Sequence, residues 1–227
     1  GSFGTIYVQN FRSKGNKVAV KYVKNMDEHD IIEESKMLLS LTSCIYTPKL
    51  IGYNTDRKFI VMEYVHGFSL VECINHYNKL VIASKLVEIC KDMCRAVLQV
   101  HGFNILHNDL HTSNVLLCHD GRRFNVVLID FGKSCYFHDA STLDTSPEES
   151  RKLQKKCPWI DPDMLINNIK ASVFTDFYGV GFLFDDFQSL LGTSYGIIKK
   201  VSSALRAKKV HEALKLLKLD VPPNLYD

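Results

Sequence analysis

The sequence predicts an α+β fold of two lobes: a small antiparallel sheet with one helix over residues 1–65, and a mainly helical lobe over residues 66–227. Two observations support this prediction. β-Branched and aromatic runs separated by short turns dominate the first third of the chain. Apolar residues at helical spacing dominate the remainder. We therefore expect one domain in which the two lobes differ in secondary structure.

The sheet of the first lobe is predicted from two strand pairs. Residues 5–8 and 17–23 flank the turn-forming residues 13–16, which indicates a hairpin. Residues 49–53 and 58–64 flank a second polar turn and form the other pair.

One helix is predicted between the two strand pairs, over residues 30–41. Glu34 and Leu38 fall on its inward-facing stripe. A carboxylate that faces the core is costly unless it is paired, and Lys21 at the end of the second strand is a candidate partner. Glu33 is the competing carboxylate, but the spacing to Leu38 favours Glu34.

The second lobe is predicted to be mainly helical. The predicted helices are residues 80–100, 173–190 and 197–217, and the predicted strands are residues 115–117 and 126–129. Residues 133–160 are polar and show little periodicity, so they are predicted to form a long loop. A compact domain rarely carries such a loop without a function.

The composition is that of an ordinary globular domain and argues against several classes. Charged residues make up 23% of the 227 residues and the formal net charge is +3, so no nucleic-acid-binding surface is predicted. The seven cysteines contain no C-x-x-C pair, and no apolar run approaches ~18 residues. We expect a cytoplasmic domain without a membrane segment. The chain begins without Met, so we also expect that its true start lies upstream.

The loop before the first strand of the second lobe has the strongest chemical signal. Asp109 and Asn114 lie five residues apart in it, and Asp130 follows the next apolar strand. A carboxylate near a substrate hydroxyl can orient it and accept its proton. An amide and a second carboxylate supply the oxygen ligands that Mg²⁺ prefers. On its own, the phrase Asp130-Phe131-Gly132 is also compatible with a plain strand-ending turn.

The chain opens with Gly1-Ser2-Phe3-Gly4, directly before the first strand. Glycines at such a position let the backbone approach phosphate oxygens and present N–H groups to them. A glycine-containing β-turn is the simpler interpretation of these four residues alone, and both interpretations stay open.

Taken together and in order, these features resemble the eukaryotic-type protein kinase family. The matching motifs are Gly1-Ser2-Phe3-Gly4-Thr5-Ile6, Val18-Ala19-Val20-Lys21, Glu34, Met62-Glu63-Tyr64-Val65, His107-x-Asp109-x-x-x-x-Asn114, Asp130-Phe131-Gly132 and Asp176. The resemblance spans residues 1 to about 190 and is weak beyond them. It implies a bilobal kinase catalytic domain that uses ATP and Mg²⁺. It also implies transfer of the γ-phosphate to a protein substrate, on Ser/Thr in preference to Tyr.

The resemblance implies which residues contact the nucleotide, because each matched position has a role in the family. They are Gly1, Ser2, Phe3 and Gly4 over the phosphates, Ile6, Ala19 and Leu116 on the two faces of the adenine, Met62 as gatekeeper, and Glu63 and Val65 at the adenine edge.

The catalytic and metal-binding roles are implied in the same way. Lys21 would hold the α- and β-phosphates while Glu34 fixes the lysine. Asp109 would be the catalytic aspartate, and Asn114 and Asp130 would bind Mg²⁺. A stack of side chains that links the lobes is implied for Leu38, Leu50, His107 and Phe131, anchored by Asp176.

Three positions depart from the family's pattern. Asn108 replaces an arginine that normally pairs with a phosphate on the activation loop, so activity is predicted not to depend on phosphorylation through that contact. His111 replaces the lysine of Ser/Thr kinases. Asp163 replaces the glutamate of Ala-Pro-Glu, and Arg206 is its predicted partner.

These departures leave two alternative functions open. The first is a pseudokinase or scaffold that keeps the fold but has lost phosphate transfer. The second is a small-molecule phosphotransferase, since the phrase Asp-Leu-His-x-x-Asn is also similar to the loop of the aminoglycoside and choline phosphotransferases. A protein kinase is favoured by three motifs, which are Gly1-Ser2-Phe3-Gly4, Val18-Ala19-Val20-Lys21 and Met62-Glu63-Tyr64-Val65.

Overall fold

A computed structural model describes residues 4–11, 16–23 and 27–220. The predicted phosphate-covering residues Gly1, Ser2 and Phe3 lie outside the described residues, as do residues 13–15 of the predicted hairpin turn. An antiparallel sheet forms the N-terminal part of the chain and helices form most of the C-terminal part. The predicted α+β fold is confirmed, whereas the division of the lobes at residue 65 stays a prediction.

The N-terminal sheet is antiparallel, with strands in the order β1-β2-β4-β3. These strands are β1 (Thr5–Phe11), β2 (Asn16–Tyr22), β3 (Leu50–Asn54) and β4 (Phe59–Glu63). The helix α1 (Glu28–Ser40) packs against β3 and β4. It begins at a reciprocal capping box between Asp27 and Asp30 and buries Ile31, Glu34 and Leu38 on one face. The inward position of Glu34 is therefore as predicted.

The C-terminal part contains two small sheets and most of the helices. The strands β5 (Phe68–Ser69), β7 (Val115–His119) and β8 (Phe124–Leu128) form one sheet, and β6 (Ile105–Leu106) pairs with β9 (Cys135–Tyr136). The helices are α2 (Leu70–His76), α3 (Lys79–Ser84), α4 (Leu86–His101), α5 (Pro147–Lys156), α6 (Pro162–Ile166), α7 (Val173–Leu191), α8 (Gly196–Arg206) and α9 (Val210–Leu216).

Helix α7 lies at the centre of this part of the chain. Its residues Phe177, Phe184 and Phe187 are fully buried in a core that is continuous with α1. Gly181 allows α8 to pack closely on α7, because a Cβ at this glycine would lie 2.9 Å from the Ser202 carbonyl oxygen. Among the described residues, no helix is both long enough and apolar enough to cross a membrane.

The prediction of one continuous helix over residues 80–100 is wrong. The segment is divided into α3 and α4 at Lys85, which ends one helix and begins the next. Ser84 bonds its hydroxyl back to the Val81 carbonyl, as short polar side chains do where a helix ends. Ile82 and Leu86, on either side of the break, are both buried.

The prediction of one long loop over residues 133–160 is also wrong. This segment contains β9, a 3₁₀ turn at Phe137–Asp139 and the ten-residue helix α5. Ser146 and Glu149 form a capping box at the start of α5, with a proline in the first turn. Because α5 is largely exposed, it lacks the apolar periodicity by which a helix is recognised.

The predicted pairing of Asp163 with Arg206 is replaced by a different ion pair. Lys208 bonds Asp163, and its Nζ lies 3.1 Å from Oδ2 of the buried Asp161. Arg206 instead lies 3.2 Å from Asp185 on α7. The Cγ of Arg206 packs beside Gly181, which directs the arginine along α7 rather than toward α6.

Candidate active site

A buried ionic cluster joins the N-terminal sheet, helix α1 and the segment after β8. Lys21 Nζ lies 2.8 Å from both carboxylate oxygens of Glu34 and 2.8 Å from Oδ1 of Asp130. Lys21 is 3% exposed and Glu34 is 2% exposed. Three predicted site residues that are far apart in the sequence are therefore in direct contact.

Regular elements hold two members of this cluster and a strained backbone holds the third. Lys21 is on β2 and faces Ile60 of β4 across the sheet, while Glu34 is on the inner face of α1. Asp130 has a φ of +65°, a conformation that is uncommon outside glycine. A Cβ at Gly132 would lie 3.2 Å from Glu34 Oε2, so a glycine here leaves room for the carboxylates to converge.

The electrostatics of the cluster favour a charged lysine. Burial alone would lower the pKa of Lys21, but Glu34 and Asp130 outweigh burial and raise this pKa above its usual range. Burial raises the pKa of Glu34, although Lys21 opposes this shift. The lysine is a fixed positive charge between two carboxylates.

The loop that contains Asp109 lies between β6 and β7. Asn114 donates its amide N–H groups to the Asp109 carbonyl at 2.9 Å and to Asp109 Oδ2 at 3.2 Å. Trp159 donates its indole N–H to Asp109 Oδ1 at 2.8 Å. His111 lies further away, with Nε2 3.7 Å from Asp109 Oδ2. Burial would raise the pKa of Asp109, but His111 and Trp159 lower it below its usual range.

Asp176 on α7 anchors the loop that contains Asp109. Its carboxylate accepts the backbone N–H groups of His107 and Asn108, both at 2.8 Å, and bonds His101 Nε2 at 2.9 Å. Burial would raise the pKa of Asp176, but these contacts lower it. Asn108 has a φ of +62°, so the anchor also holds an uncommon backbone conformation.

The residues of the predicted stack occupy the interior between the sheet and the helices. His107 and Phe131 are in ring contact at 4.8 Å, and His107 Nε2 bonds the Ile129 carbonyl at 3.1 Å. Leu38 and Phe131 belong to one buried core, against which Leu50 packs. Burial lowers the pKa of His107, which favours its neutral form.

Asn108 stands where the family has an arginine, and it bonds the segment that follows Asp130. Its amide nitrogen donates to the Lys133 carbonyl at 3.1 Å and to the Cys135 sulfur at 3.3 Å. Pairing of Leu106 with Cys135 in the β6–β9 ladder adds a second link. A neutral side chain thus contacts residues 133–160, here called the activation segment, directly.

Two of the side chains have the donor atoms that Mg²⁺ requires. Because the amide nitrogen of Asn114 is directed at Asp109, its carbonyl oxygen is the atom available to a cation. The Asp130 carboxylate already binds one cation, the ammonium group of Lys21. The hard oxygen donors and this ammonium contact fit a divalent cation beside a polyanion.

The predicted adenine contacts lie along β1, β2, β4 and β7. Ala19 is buried on β2 and faces Met62 of β4, which is also buried. Ile6 on β1 is 54% exposed, and Leu116 on β7 is partly exposed. The Glu63 amide donates to the Lys49 carbonyl at 2.8 Å. Of its two backbone groups, Glu63 can therefore offer only the carbonyl to a ligand.

Val65, the second residue predicted at the adenine edge, is partly exposed. Its carbonyl accepts the Gly67 amide at 3.0 Å. Gly4 is the described member of the glycine loop, and a Cβ there would lie 2.5 Å from the Tyr22 carbonyl oxygen. Close approach of β1 to β2 thus requires a glycine at this position.

One cavity of the molecule does not belong to this site. It has a volume of about 670 Å³ and is lined by Tyr7, Tyr22 and Arg57 among others. None of its lining residues is among the predicted nucleotide contacts. The assignment of the site depends on the converging polar side chains rather than on this cavity.

Two contacts of the site were not predicted from the sequence. Trp159 lies in the segment predicted to be a loop, 50 residues from the carboxylate that it bonds. His101 directly follows the helix predicted over residues 80–100, and it is buried against Asp176. Only an inward position of His101 on α4, beside Val97 and Val100, could have indicated the second contact.

A lysine on the sheet is paired with a glutamate on a helix, and an aspartate, an asparagine and a second aspartate lie on two loops of the mainly helical part. This arrangement defines a phosphotransferase of the kinase type. Comparison with known families agrees: residues 1–217 match the model of the protein kinase domain. The chain therefore belongs to the protein kinase family.

The chain is similar to protein kinases of both acceptor classes. It is 29% identical over 150 residues to the serine/threonine-protein kinase dst2 of Dictyostelium discoideum, which is 64% of this chain and 13% of that protein. It is 25% identical over 218 residues to the human cytoplasmic tyrosine-protein kinase BMX, which is 93% of this chain and 30% of that protein. The chain thus spans less than a third of these relatives' length.

Proposed function

We propose that this chain is a catalytic domain that transfers the γ-phosphate of ATP to a hydroxyl group of a protein substrate. The observation that supports this most strongly is the contact of Lys21 with both Glu34 and Asp130 at 2.8 Å. This contact joins sheet, helix and loop at one point, and the segment around Asp130 is linked to the loop that contains Asp109 by the ring contact of Phe131 with His107 at 4.8 Å. A fixed positive charge between carboxylates is suited to a metal–triphosphate.

The proposed mechanism divides the work between two sets of side chains. Lys21 holds the α- and β-phosphates and Glu34 fixes the lysine. Asn114 and Asp130 would hold Mg²⁺, which supplies charge neutralisation on the phosphate oxygens when bound. Asp109 orients the acceptor hydroxyl and takes its proton. The new bond forms between the acceptor oxygen and the γ-phosphorus, the bond to the β–γ bridging oxygen breaks, and ADP leaves.

The acceptor class that we propose is Ser/Thr. Support comes from relatives that are named serine/threonine-protein kinases, including dst2. A further relative, serine/threonine-protein kinase 10-A of Xenopus laevis, is 28% identical over 138 residues, which is 59% of this chain and 14% of that protein. The similarity to a tyrosine-protein kinase makes Tyr the competing acceptor. The cytoplasmic location stays a prediction.

We also propose that activity does not depend on phosphorylation of residues 133–160 through a contact with residue 108. Asn108 already bonds this segment through the Lys133 carbonyl and the Cys135 sulfur, with no phosphate involved. Treatment with a phosphatase is expected to leave turnover unchanged. A large loss of turnover after dephosphorylation would contradict this part of the proposal.

The test is a transfer assay with γ-labelled ATP, Mg²⁺ and a peptide library in which the acceptor is Ser, Thr or Tyr. Asp109→Asn is expected to lower turnover by about 10²–10⁴-fold, since that is the usual contribution of a general base. Asp139→Asn, at an exposed aspartate beside His138, is the control and should have no effect.

The two alternatives give different results in the same assay. A pseudokinase would label no peptide under any condition. A small-molecule phosphotransferase would label metabolites with hydroxyl groups and leave the peptides unlabelled. Labelling that survives Asp109→Asn would exclude the proposed role of this aspartate.

A further inference from the structure

Trp159 joins the segment before α6 to the loop that contains Asp109. Its indole Nε1–H donates to Asp109 Oδ1 at 2.8 Å. The two residues are 50 positions apart, and the contact links the activation segment to the proposed catalytic carboxylate. Trp159 is also the only tryptophan of the chain.

The indole ring is held on more than one side. It packs against the ring of His111 at a centroid distance of 4.3 Å and lies 6.5 Å from the ring of Phe182 on α7. The Trp159 carbonyl is packed over Gly179, where a Cβ would lie 3.4 Å from its oxygen. The ring contact with His111 and the packing of the Trp159 carbonyl over Gly179 therefore hold the orientation of the N–H group, and Phe182 lies further away.

The contact orients the carboxylate without blocking it. Trp159 bonds Oδ1 and Asn114 bonds Oδ2, so each oxygen has one neutral donor. A carboxylate oxygen can accept more than one hydrogen bond, which leaves capacity for a substrate hydroxyl. The Asp109 side chain is still 18% exposed.

Trp159 is a closer donor to Asp109 than the residue at position 111 is. His111 Nε2 lies 3.7 Å from Asp109 Oδ2, which is beyond hydrogen-bond distance. The indole N–H donates at 2.8 Å and keeps its proton at every physiological pH.

We propose that Trp159 is a positioning residue for Asp109, whose carboxylate it fixes in the orientation that accepts the substrate hydroxyl. This inference rests on the proposed function of the chain as a protein kinase. It assigns to the activation segment a direct part in aligning the carboxylate.

The first test compares Trp159→Phe with Phe182→Leu. Trp159→Phe removes the N–H donor and keeps an aromatic ring against His111, whereas Phe182→Leu disturbs the packing around the indole and keeps the donor. We expect Trp159→Phe to lower kcat on the order of tenfold or more, because small misalignments are costly in catalysis. The KM values for ATP and peptide should stay unchanged, and Phe182→Leu should keep most of kcat.

An unchanged kcat in Trp159→Phe would overturn the inference, as would an equal loss in Phe182→Leu. An increased kcat would also overturn it, because the contact would then be inhibitory. If the unaltered chain transfers no phosphate, the proposed function fails first and the inference fails with it.

A second measurement does not depend on turnover or on the folding of Trp159→Phe. A ¹⁵N-labelled chain has one tryptophan indole N–H signal, because it has one tryptophan. We expect this proton to resonate downfield and to exchange slowly with solvent, and Asp109→Ala to reverse both properties. A signal that Asp109→Ala leaves in place would show that the indole does not hold the carboxylate.

Discussion

Two groups of side chains in the site are built in different ways. The nucleotide-side cluster, Lys21, Glu34 and Asp130, is held by ionic contacts of 2.8 Å, and its lysine and glutamate are almost completely buried. The acceptor-side cluster, Asp109, His111, Asn114 and Trp159, is held by neutral donors, and the side chain of Asp109 is 18% exposed. One cluster concentrates charge and the other orients a single carboxylate.

This difference matches what each cluster would bind under the proposed function. A triphosphate carries several negative charges, and a lysine in a buried site attracts it more strongly than an exposed one. A protein acceptor must enter and leave, so the carboxylate that it meets has to stay accessible. Neutral donors orient this carboxylate without cancelling the charge that draws the hydroxyl proton.

The largest expected effect comes from breaking the nucleotide-side cluster. Lys21→Met leaves the Glu34 carboxylate buried without its partner, so we expect the free energy of unfolding to fall by about 3–5 kcal/mol. Burial raises the pKa of Glu34, so this carboxyl group is protonated to a greater extent at pH 5 than at pH 8. The loss of unfolding free energy caused by Lys21→Met should therefore be smaller at pH 5 than at pH 8. Denaturant unfolding at both pH values measures this.

A matched control is available on the same helix. Lys36 pairs with Glu33 at 2.6 Å on the exposed face of α1, and Lys36→Met should change stability little. Equal destabilisation by the two substitutions would show that the buried cluster has no special role.

A smaller effect is expected from releasing the loop of the acceptor-side cluster. Asp176→Ala leaves two backbone N–H groups and His101 without their acceptor, which we expect to cost about 3 kcal/mol at pH 7. The pKa of Asp176 is lowered in the folded chain, so its stabilisation is present above the unfolded value of about 3.9 and is lost as the pH falls through the folded pKa.

The measurement for Asp176 is the difference in unfolding free energy between the unaltered chain and the variant across the acid range. This difference should shrink only below the unfolded pKa of an aspartate. A difference that stays constant down to pH 2 would contradict an ionised Asp176 as the anchor.

The smallest effect concerns the ion pair that supports the segment around Asp161. Lys208→Met should destabilise the chain by about 1 kcal/mol, a value reduced because the lysine is partly exposed. Arg206→Met should cost less than Lys208→Met, since Arg206 pairs with the more exposed Asp185. Thermal unfolding of both variants measures which substitution destabilises the chain more. A larger loss in Arg206→Met would favour the pairing of Asp163 with Arg206 that is predicted from the sequence.

The sequence could predict the nucleotide-side cluster because Lys21 and Glu34 sit on regular elements and Asp130 closely follows one. Helical spacing places Glu34 on the same face as Leu38, and a buried carboxylate demands a cation such as Lys21. The sequence also shows that Asp130 follows an apolar strand and that Asp109 and Asn114 are five residues apart. Both features could therefore be used to predict site residues.

The acceptor-side cluster could be predicted only in part. The bond from Trp159 to Asp109 depends on how residues 133–160 fold back over 50 positions, and no local spacing records such a contact. The helix α5 within this segment has too few apolar residues to show a period. The partner of Asp163 was missed for a similar reason, because the packing of α8 on α7 directs Arg206 elsewhere.

The most direct test of the division between the two clusters is a calorimetric titration of Mg·ATP into the Asp109→Asn variant, with Lys21→Met alongside. Asp109→Asn is expected to bind Mg·ATP with the affinity of the unaltered chain, because the nucleotide-side cluster is intact, while Lys21→Met binds it far more weakly. Equal losses of affinity in the two variants would contradict separate roles for the two clusters.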